Sequence, residues 1–205
     1  MNVSQLESHR AYDPLLRTIH FWIALAILGL IITSQIAEAV EHGPWEPVVW
    51  GFHIQFGYAM AGGLVTRLIW GFVGPAHARW SDLWHPREWM AMLRGHLRFP
   101  PRLGHDVRAS AAFLAFYAVL LAMTGTGLVL AAVEHKMGPL AVSIAGDTGL
   151  KYLFKEPHEV GFAVVLAFIG LHTAALAFHR FYRRVPVDQA MLSGKQFLPK
   201  DLPHA

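Results

Sequence analysis

The sequence predicts an all-α integral membrane protein, a bundle of four transmembrane helices. Of its 205 residues, 54% are hydrophobic and only 15% are charged, whereas soluble domains average about 25% charged residues. Four apolar stretches are long enough to cross a bilayer, because a spanning helix needs about 20 apolar residues. Little polar sequence is left for a soluble domain, so residues 1–205 are expected to form a single membrane domain.

The helices are expected to run antiparallel to their neighbours in the chain. Asp13 and Pro14 are a suitable N-cap and first residue for the first helix. The four ranges predicted from the apolar runs are about 15–37, 48–73, 109–133 and 158–181.

A basic stretch, 74–108, separates the second and third helices. Within it Trp89, Leu93 and Leu97 recur at a helical spacing, which favours an interfacial amphipathic helix, although a solvated basic loop fits equally well. Positive charge is concentrated here, at the N-terminus and in the tail, so the positive-inside rule places this loop and both termini in the cytoplasm. The expected location is a bacterial inner membrane, with no nucleic-acid partner.

Cysteine is absent from the chain. This excludes disulfides, thiolate-bound iron–sulfur clusters and the attachment of c-type haem. No N-terminal signal peptide is evident, since the first residues are polar and the first apolar run is of spanning length.

Histidines within the apolar helices are the candidate functional residues, because intramembrane ionisable groups often mark functional paths. His158 and His172 lie on nearly one face of the fourth helix, separated by a rise of about 21 Å. His20 lies in the first two turns of the first helix, and His53 lies within two turns of the start of the second, at the opposite membrane face. Helix direction therefore pairs His20 with His172 and His53 with His158, at two depths.

Each pair could hold an octahedral metal whose four in-plane ligands come from a porphyrin. Two axial histidines leave no open position on haem iron, which suits electron transfer. The expectation is a bundle enclosing two b haems, with zinc or copper sites and unrelated polar contacts as alternatives. Zinc is less suitable, because its ligands form one compact cluster.

Smaller roles are expected for several other residues. Arg17 and Arg67 are candidates to pair with haem propionates, and His179 is a weaker substitute ligand. Glycines 57, 125 and 127 allow close approach of a neighbouring helix or cofactor. The loop and tail histidines are expected to be solvated: His42, His77, His85, His96, His105, His135 and His204.

Several segments resemble the bacterial di-haem cytochrome b561 family, which is related to the cytochrome b subunits of nickel–iron hydrogenases. The resemblance lies in YDPLLRTIHFW, in HIQFGYAMAGGLVTRLIWGFVGPAHARWSDL, and in GHDV, GPLA, the HE-to-LH helix and MLSGK, in that order. Two positions depart from the family pattern: Phe21 interrupts a His-Trp pair, and Asp106-Val107 replaces Asn-Pro.

The resemblance implies two b haems held by His20, His53, His158 and His172, the four residues already selected by helix geometry. It also implies electron exchange with quinone and a redox partner such as a periplasmic cytochrome c. Whether the chain is an electron carrier or an oxidoreductase subunit stays open. The alternatives are a quinone-linked superoxide oxidase, a cytochrome b subunit of a hydrogenase or dehydrogenase complex, and a non-redox anchor or metal-ion carrier. His105 and the basic loop are candidates for a proton path to quinone.

Overall fold

The computed structural model describes residues 6–96 and 99–200, and most of these are helical. The elements in chain order are β1 (Leu6–Arg10), α1 (Pro14–Ala39), α2 (Glu46–Val73), α3 (Pro86–Leu93), α4 (Val107–His135), α5 (Ala141–Ile144), α6 (Thr148–Ala177), α7 (Gln189–Ser193) and β2 (Lys195–Pro199). Two 3₁₀ turns, Ala76–Ala78 and Trp80–Asp82, follow α2, and a π-helical turn, Phe178–Tyr182, continues α6.

Within the described residues, four helices are long and apolar enough to cross a membrane: α1, α2, α4 and α6 with its π-helical turn. Large apolar side chains on them are exposed, among them Leu25 at 66%, Phe72 at 74% and Leu171 at 69%. Such surfaces are stable against lipid and costly in water. The prediction of an all-α membrane protein with four spanning helices is confirmed.

The start of α1 follows the prediction. The carboxylate of Asp13 accepts hydrogen bonds from the backbone N–H groups of Leu15 and Leu16, both at 3.0 Å. Pro14, as the first helical residue, has no N–H that needs a partner.

The predicted start of the fourth helix at His158 was ten residues late, because α6 begins at Thr148. Asp147 caps this start by accepting a hydrogen bond from the N–H of Leu150 at 3.0 Å. Pro157 lies inside the helix; proline usually ends soluble helices, but spanning helices tolerate it. Helix α4 also extends past its predicted end to His135.

A short helix, α3, does form in the basic stretch, over Pro86–Leu93. Gly95, at a φ of 88°, ends it. The N–H groups of Gly95 and His96 bond the carbonyls of Met92 and Ala91, as in a Schellman motif. Leu97, expected on the apolar face, lies outside the described residues, and the interfacial position of α3 stays a prediction.

The chain divides into two compact units. The first unit consists of Met1–His20, Arg67–Tyr117 and Ala167–Ala205. In it β1 pairs antiparallel with β2, with Leu6 opposite Pro199 and Arg10 opposite Lys195. The described ends of the chain therefore lie side by side.

The second unit consists of Phe21–Thr66 and Ala118–Leu166. It contains most of α1 and α2, the second half of α4 and the first part of α6. Its buried apolar residues include Ala26, Met60 and Leu64.

Candidate functional site

His53 and His158 lie together in the second unit. Both side chains line one cavity of about 580 Å³. Pockets that hold cofactors typically measure about 300–1,000 Å³. Apolar side chains such as Ile27, Leu120 and Val165 make up much of the wall, so the two ring nitrogens face a largely apolar space.

A threonine hydroxyl contacts the Nδ1 atom of each of these histidines. Thr33 Oγ1 lies 3.1 Å from Nδ1 of His53, and Thr126 Oγ1 lies 2.8 Å from Nδ1 of His158. With Nδ1 engaged, Nε2 is the nitrogen of each ring that remains for a metal.

Two of the three glycines that the sequence predicts to allow close approach, Gly57 and Gly127, lie beside this histidine pair. A Cβ atom on Gly127 would lie 3.2 Å from Cε1 of His158, so the ring packs directly against α4. Gly57 lines the cavity, and a Cβ there would meet no atom within 4 Å. Gly125 also has open space beside it and takes no part in the wall described for this cavity.

An aromatic contact connects His53 to the end of α4. The ring of Trp50 lies 5.3 Å from that of His53 and 5.1 Å from that of His135, centroid to centroid. His135 is partly buried, so the prediction that it is solvated was wrong. The extension of α4 to this residue brings the ring against Trp50.

Ionisable side chains also line this cavity, and most of them are acidic. Its lining includes one lysine, Lys155, and five glutamates, Glu38, Glu41, Glu46, Glu134 and Glu159. Two of these carboxylates have lysine partners, Glu134 with Lys151 at 3.5 Å and Glu159 with Lys155 at 3.9 Å. The net charge of the lining is negative.

His20 and His172 both belong to the first unit. Aromatic rings surround His172: Phe168 is stacked at 6.1 Å and Phe113 is edge-on at 6.3 Å. Phe116 stacks on Phe168 at 3.7 Å. This pair therefore has an aromatic setting on the α4 and α6 side.

The guanidinium groups of Arg17 and Arg67 donate hydrogen bonds to other groups of this chain. Arg17 Nε donates to the carbonyl of Met191 at 3.0 Å, and its Nη2 donates to that of Leu192. These bonds hold the C-terminal end of α7 against α1.

Arg67 is 2% exposed. Its Nη1 donates to the carbonyl of Ala78 at 2.9 Å and its Nε to the hydroxyl of Tyr117 at 3.2 Å. The guanidinium also lies 4.2 Å from the ring centroid of Trp80, a cation–π contact. Arg67 thus joins α2, α4 and the 3₁₀ turns, and propionate pairing by either arginine stays a prediction.

Loop histidines gather around Asp82, which is 8% exposed. His105 Nδ1 lies 2.7 Å from one carboxylate oxygen and His77 Nδ1 lies 3.2 Å from the other. His85, 6% exposed, contacts the Asp82 carbonyl at 3.0 Å. The prediction that these three histidines are solvated was wrong, because the two 3₁₀ turns fold the loop back onto itself.

The electrostatics of this cluster follow from burial and hydrogen bonding. Burial alone would raise the pKa of the Asp82 carboxyl, but hydrogen bonds from His105 and His77 outweigh it, and the pKa lies below its ordinary value. Burial and the negative charge of Asp82 raise the pKa of the neighbouring Tyr12 hydroxyl above its ordinary value.

The donor sets decide which chemistry fits. Within residues 6–96 and 99–200, no group of three or more His, Asp or Glu side chains is placed to hold a metal ion. Two paired imidazoles beside an apolar cavity instead suit a metal that brings its own equatorial ligands.

Sequence reasoning missed the threonine partners. Thr33 and Thr126 are hydroxyls in apolar helices, and Thr126 lies between two glycines at a point where α4 has no histidine. A polar residue flanked by glycines in a spanning helix is a signal that could have identified it.

Four helices of spanning length among the described residues, with histidines along them, define an all-α membrane protein. The model of the family described as prokaryotic cytochrome b561 matches residues 11–194. The chain belongs to this family and is a bacterial membrane b-type cytochrome of electron transfer that binds haem b. The resemblance noted from the sequence is confirmed.

Curated relatives agree with this assignment. The chain is 26% identical to a probable Ni/Fe-hydrogenase B-type cytochrome subunit of Azotobacter chroococcum mcd 1, over 94% of this chain and 90% of the relative. It is 30% identical to the protein of that description in Azotobacter vinelandii, over 57% of this chain and 58% of the relative. The Bradyrhizobium diazoefficiens protein of the same description is 22% identical over 90% and 84% of the two chains. No solved structure matches significantly.

Proposed function

We propose that this protein is a di-haem cytochrome b that relays electrons between the membrane quinone pool and a redox partner. The observation that supports the proposal is the placement of His20 and His172 in one unit and of His53 and His158 in the other, where the latter two line a single cavity. The axial ligands of the two haems would be these four histidines. Haem b would supply a one-electron carrier at each pair.

The chain's own groups fit this role in the second unit. Thr33 and Thr126 engage the Nδ1 atoms, which leaves the Nε2 atoms of His53 and His158 to bind iron. Apolar side chains such as Ile27, Leu120 and Val165 lie along the same cavity as the ligand pair. Burial and hydrogen bonding of this kind are the means by which a protein tunes a haem.

The acidic wall of that cavity helps to choose between partners. Five glutamates against one lysine repel an anion, which disfavours a stand-alone oxidase that takes superoxide at this end. The same charge favours a partner with a basic surface, such as a periplasmic cytochrome c. The location proposed is the bacterial inner membrane, with both termini and the basic loop in the cytoplasm.

A second candidate follows from the relatives. Several are described as probable Ni/Fe-hydrogenase B-type cytochrome subunits, so the partner of this chain could be a hydrogenase rather than a cytochrome c. Dihydrogen-dependent reduction of the haems in native membranes distinguishes this candidate from the first.

The proposal is tested with the purified, haem-loaded protein under anaerobic conditions. A quinol analogue is expected to reduce the haems without any added protein, and oxidised, basic cytochrome c is expected to reoxidise them more slowly as salt is raised. Superoxide is tested in place of the quinol analogue as an alternative electron donor. Haems that dithionite reduces but that exchange electrons with neither quinol nor any protein partner would contradict the proposal.

A further inference from the structure

Each of the two threonine hydroxyls beside His53 and His158 contacts a ring nitrogen and also a carbonyl of its own helix. Each hydroxyl has one hydrogen to donate. Thr33 Oγ1 donates it to the carbonyl of Gly29 at 2.7 Å, and Thr126 Oγ1 donates it to that of Ala122 at 2.9 Å. A carbonyl has no hydrogen of its own, so these contacts require the hydroxyl as donor.

The direction of these bonds assigns the tautomer of the rings. With the hydroxyl hydrogen of Thr126 donated to the Ala122 carbonyl, the hydroxyl oxygen accepts the bond from Nδ1–H of His158. The same holds for Thr33 and His53. Each ring therefore has its lone pair on Nε2.

We propose that Thr33 and Thr126 are positioning residues that hold His53 and His158 in the Nδ1–H tautomer and lower the reduction potential of the haem bound between them. This inference rests on the proposed function, since it requires that these two histidines bind iron. It adds that the two threonine hydroxyls set how strongly His53 and His158 donate electrons to the iron.

The expected direction follows from the bond. An acceptor at Nδ1–H makes the imidazole a stronger donor through Nε2. A stronger donor stabilises ferric iron relative to ferrous iron, so the potential falls. Thr33 is 8% exposed, so water cannot easily replace a hydroxyl removed there.

The other histidine pair provides an internal reference. The described ring contacts of His172 are aromatic, with Phe168 and Phe113. Removing the threonine hydroxyls should therefore change the potential of one haem and leave that of the other unchanged.

The test is potentiometric titration of the haem-loaded protein with Thr126→Val, Thr33→Val and the double variant. Each loss of a hydroxyl should raise the midpoint potential of one haem. A change of about threefold in its ferric-to-ferrous ratio corresponds to about 28 mV, at about 59 mV per tenfold. Electron paramagnetic resonance of the ferric low-spin haems gives a second readout, because its g-values respond to ligand donor strength.

Matched controls separate this effect from packing. Thr126→Ser and Thr33→Ser keep the hydroxyl and should restore the wild-type potential. Thr66→Val makes the same change where the hydroxyl bonds the carbonyl of Gly62 on its own helix, and it should shift neither haem. If a valine variant loses the haem, the alanine variant, which adds no bulk, replaces it in the titration.

The outcomes are decisive. Unchanged potentials and g-values in variants that keep both haems would overturn the inference, as would serine variants that shift as far as valine. Loss of haem in the alanine variants with retention in the serine variants supports it. Failure of the proposed function itself looks different: His158→Ala would then keep both bis-histidine haems, whatever the threonine variants do.

Discussion

The Nδ1 atom of His105 lies 2.7 Å from Oδ2 of Asp82, and the backbone N–H of His105 donates to the same oxygen at 3.0 Å. One buried carboxylate thus joins the second 3₁₀ turn to the segment that precedes α4. His77 contacts the other oxygen at 3.2 Å, and Gly104, at a φ of 89°, lets the chain pass close to both. Asp82 organises the loop between α2 and α4.

Replacing Asp82 should destabilise the protein. Asp82→Asn removes the charge and at least one acceptor from buried donors, which costs about 1–3 kcal/mol. The measurement is thermal unfolding in detergent. Asp106→Asn is the control, because asparagine also caps a helix well; an equal loss in both variants would contradict the role of Asp82.

The contribution of Asp82 should also depend on pH. The pKa of its carboxyl is lower in the folded protein than its ordinary value, since hydrogen bonds from His105 and His77 outweigh burial. Its stabilising effect is therefore fully present above the ordinary aspartate pKa and is lost as the pH falls through the lowered value. The difference in melting temperature between wild type and Asp82→Asn should shrink as the pH falls through this range. A difference that grows on acidification would contradict this sign.

Arg67→Lys should lower the free energy of unfolding by about 2 kcal/mol, because lysine cannot bond Ala78 and Tyr117 together and stacks less well on Trp80. Unfolding is measured for the haem-loaded and the haem-free protein. The haem-free form is obtained by expressing the protein in cells with a limited haem supply. A loss in both forms indicates the structural contacts seen here. A loss confined to the haem-loaded form would instead support propionate pairing.

Gly127→Ala should disturb His158. The added methyl would lie 3.2 Å from Cε1 of the ring, and such overpacking typically costs about 1–3 kcal/mol. We expect a lower melting temperature and an altered low-spin signal from one haem. Gly62→Ala is the control, because no atom lies within 4 Å of its Cβ position; equal effects of the two changes would show that ring contact is not the cause.

The spanning helices could be predicted from the sequence because lipid requires long apolar runs with satisfied backbones. Helix direction and spacing also predict which histidines pair as ligands, and that pairing stays a prediction. The early start of α6 could not, because Pro157 ends most helices and is tolerated here only by its setting. The pairing of β1 with β2 was missed because five-residue strands at opposite ends of a chain leave no periodic signal.

The Asp82 cluster was missed for a related reason. His77, His85 and His105 lie in a segment rich in arginine and proline, which by composition is typical of a solvated loop. The burial of His105 depends on its contact with Asp82, 23 positions earlier in the chain, and that of His77 and His85 depends on how the 3₁₀ turns fold around the same residue. Such contacts follow from the tertiary fold rather than from any local pattern.

The central claim is that His20 pairs with His172 and His53 with His158 as axial ligands of two haems. Haem content and bis-histidine low-spin signals of double alanine variants test it directly, with His179→Ala, which should keep two haems, as control. Removing both members of one pair should leave one intact bis-histidine haem, whereas removing one member of each pair, as in the variant lacking His20 and His158, should leave none. An intact bis-histidine haem in that cross-pair variant, or none in a variant lacking only one pair, would contradict the account.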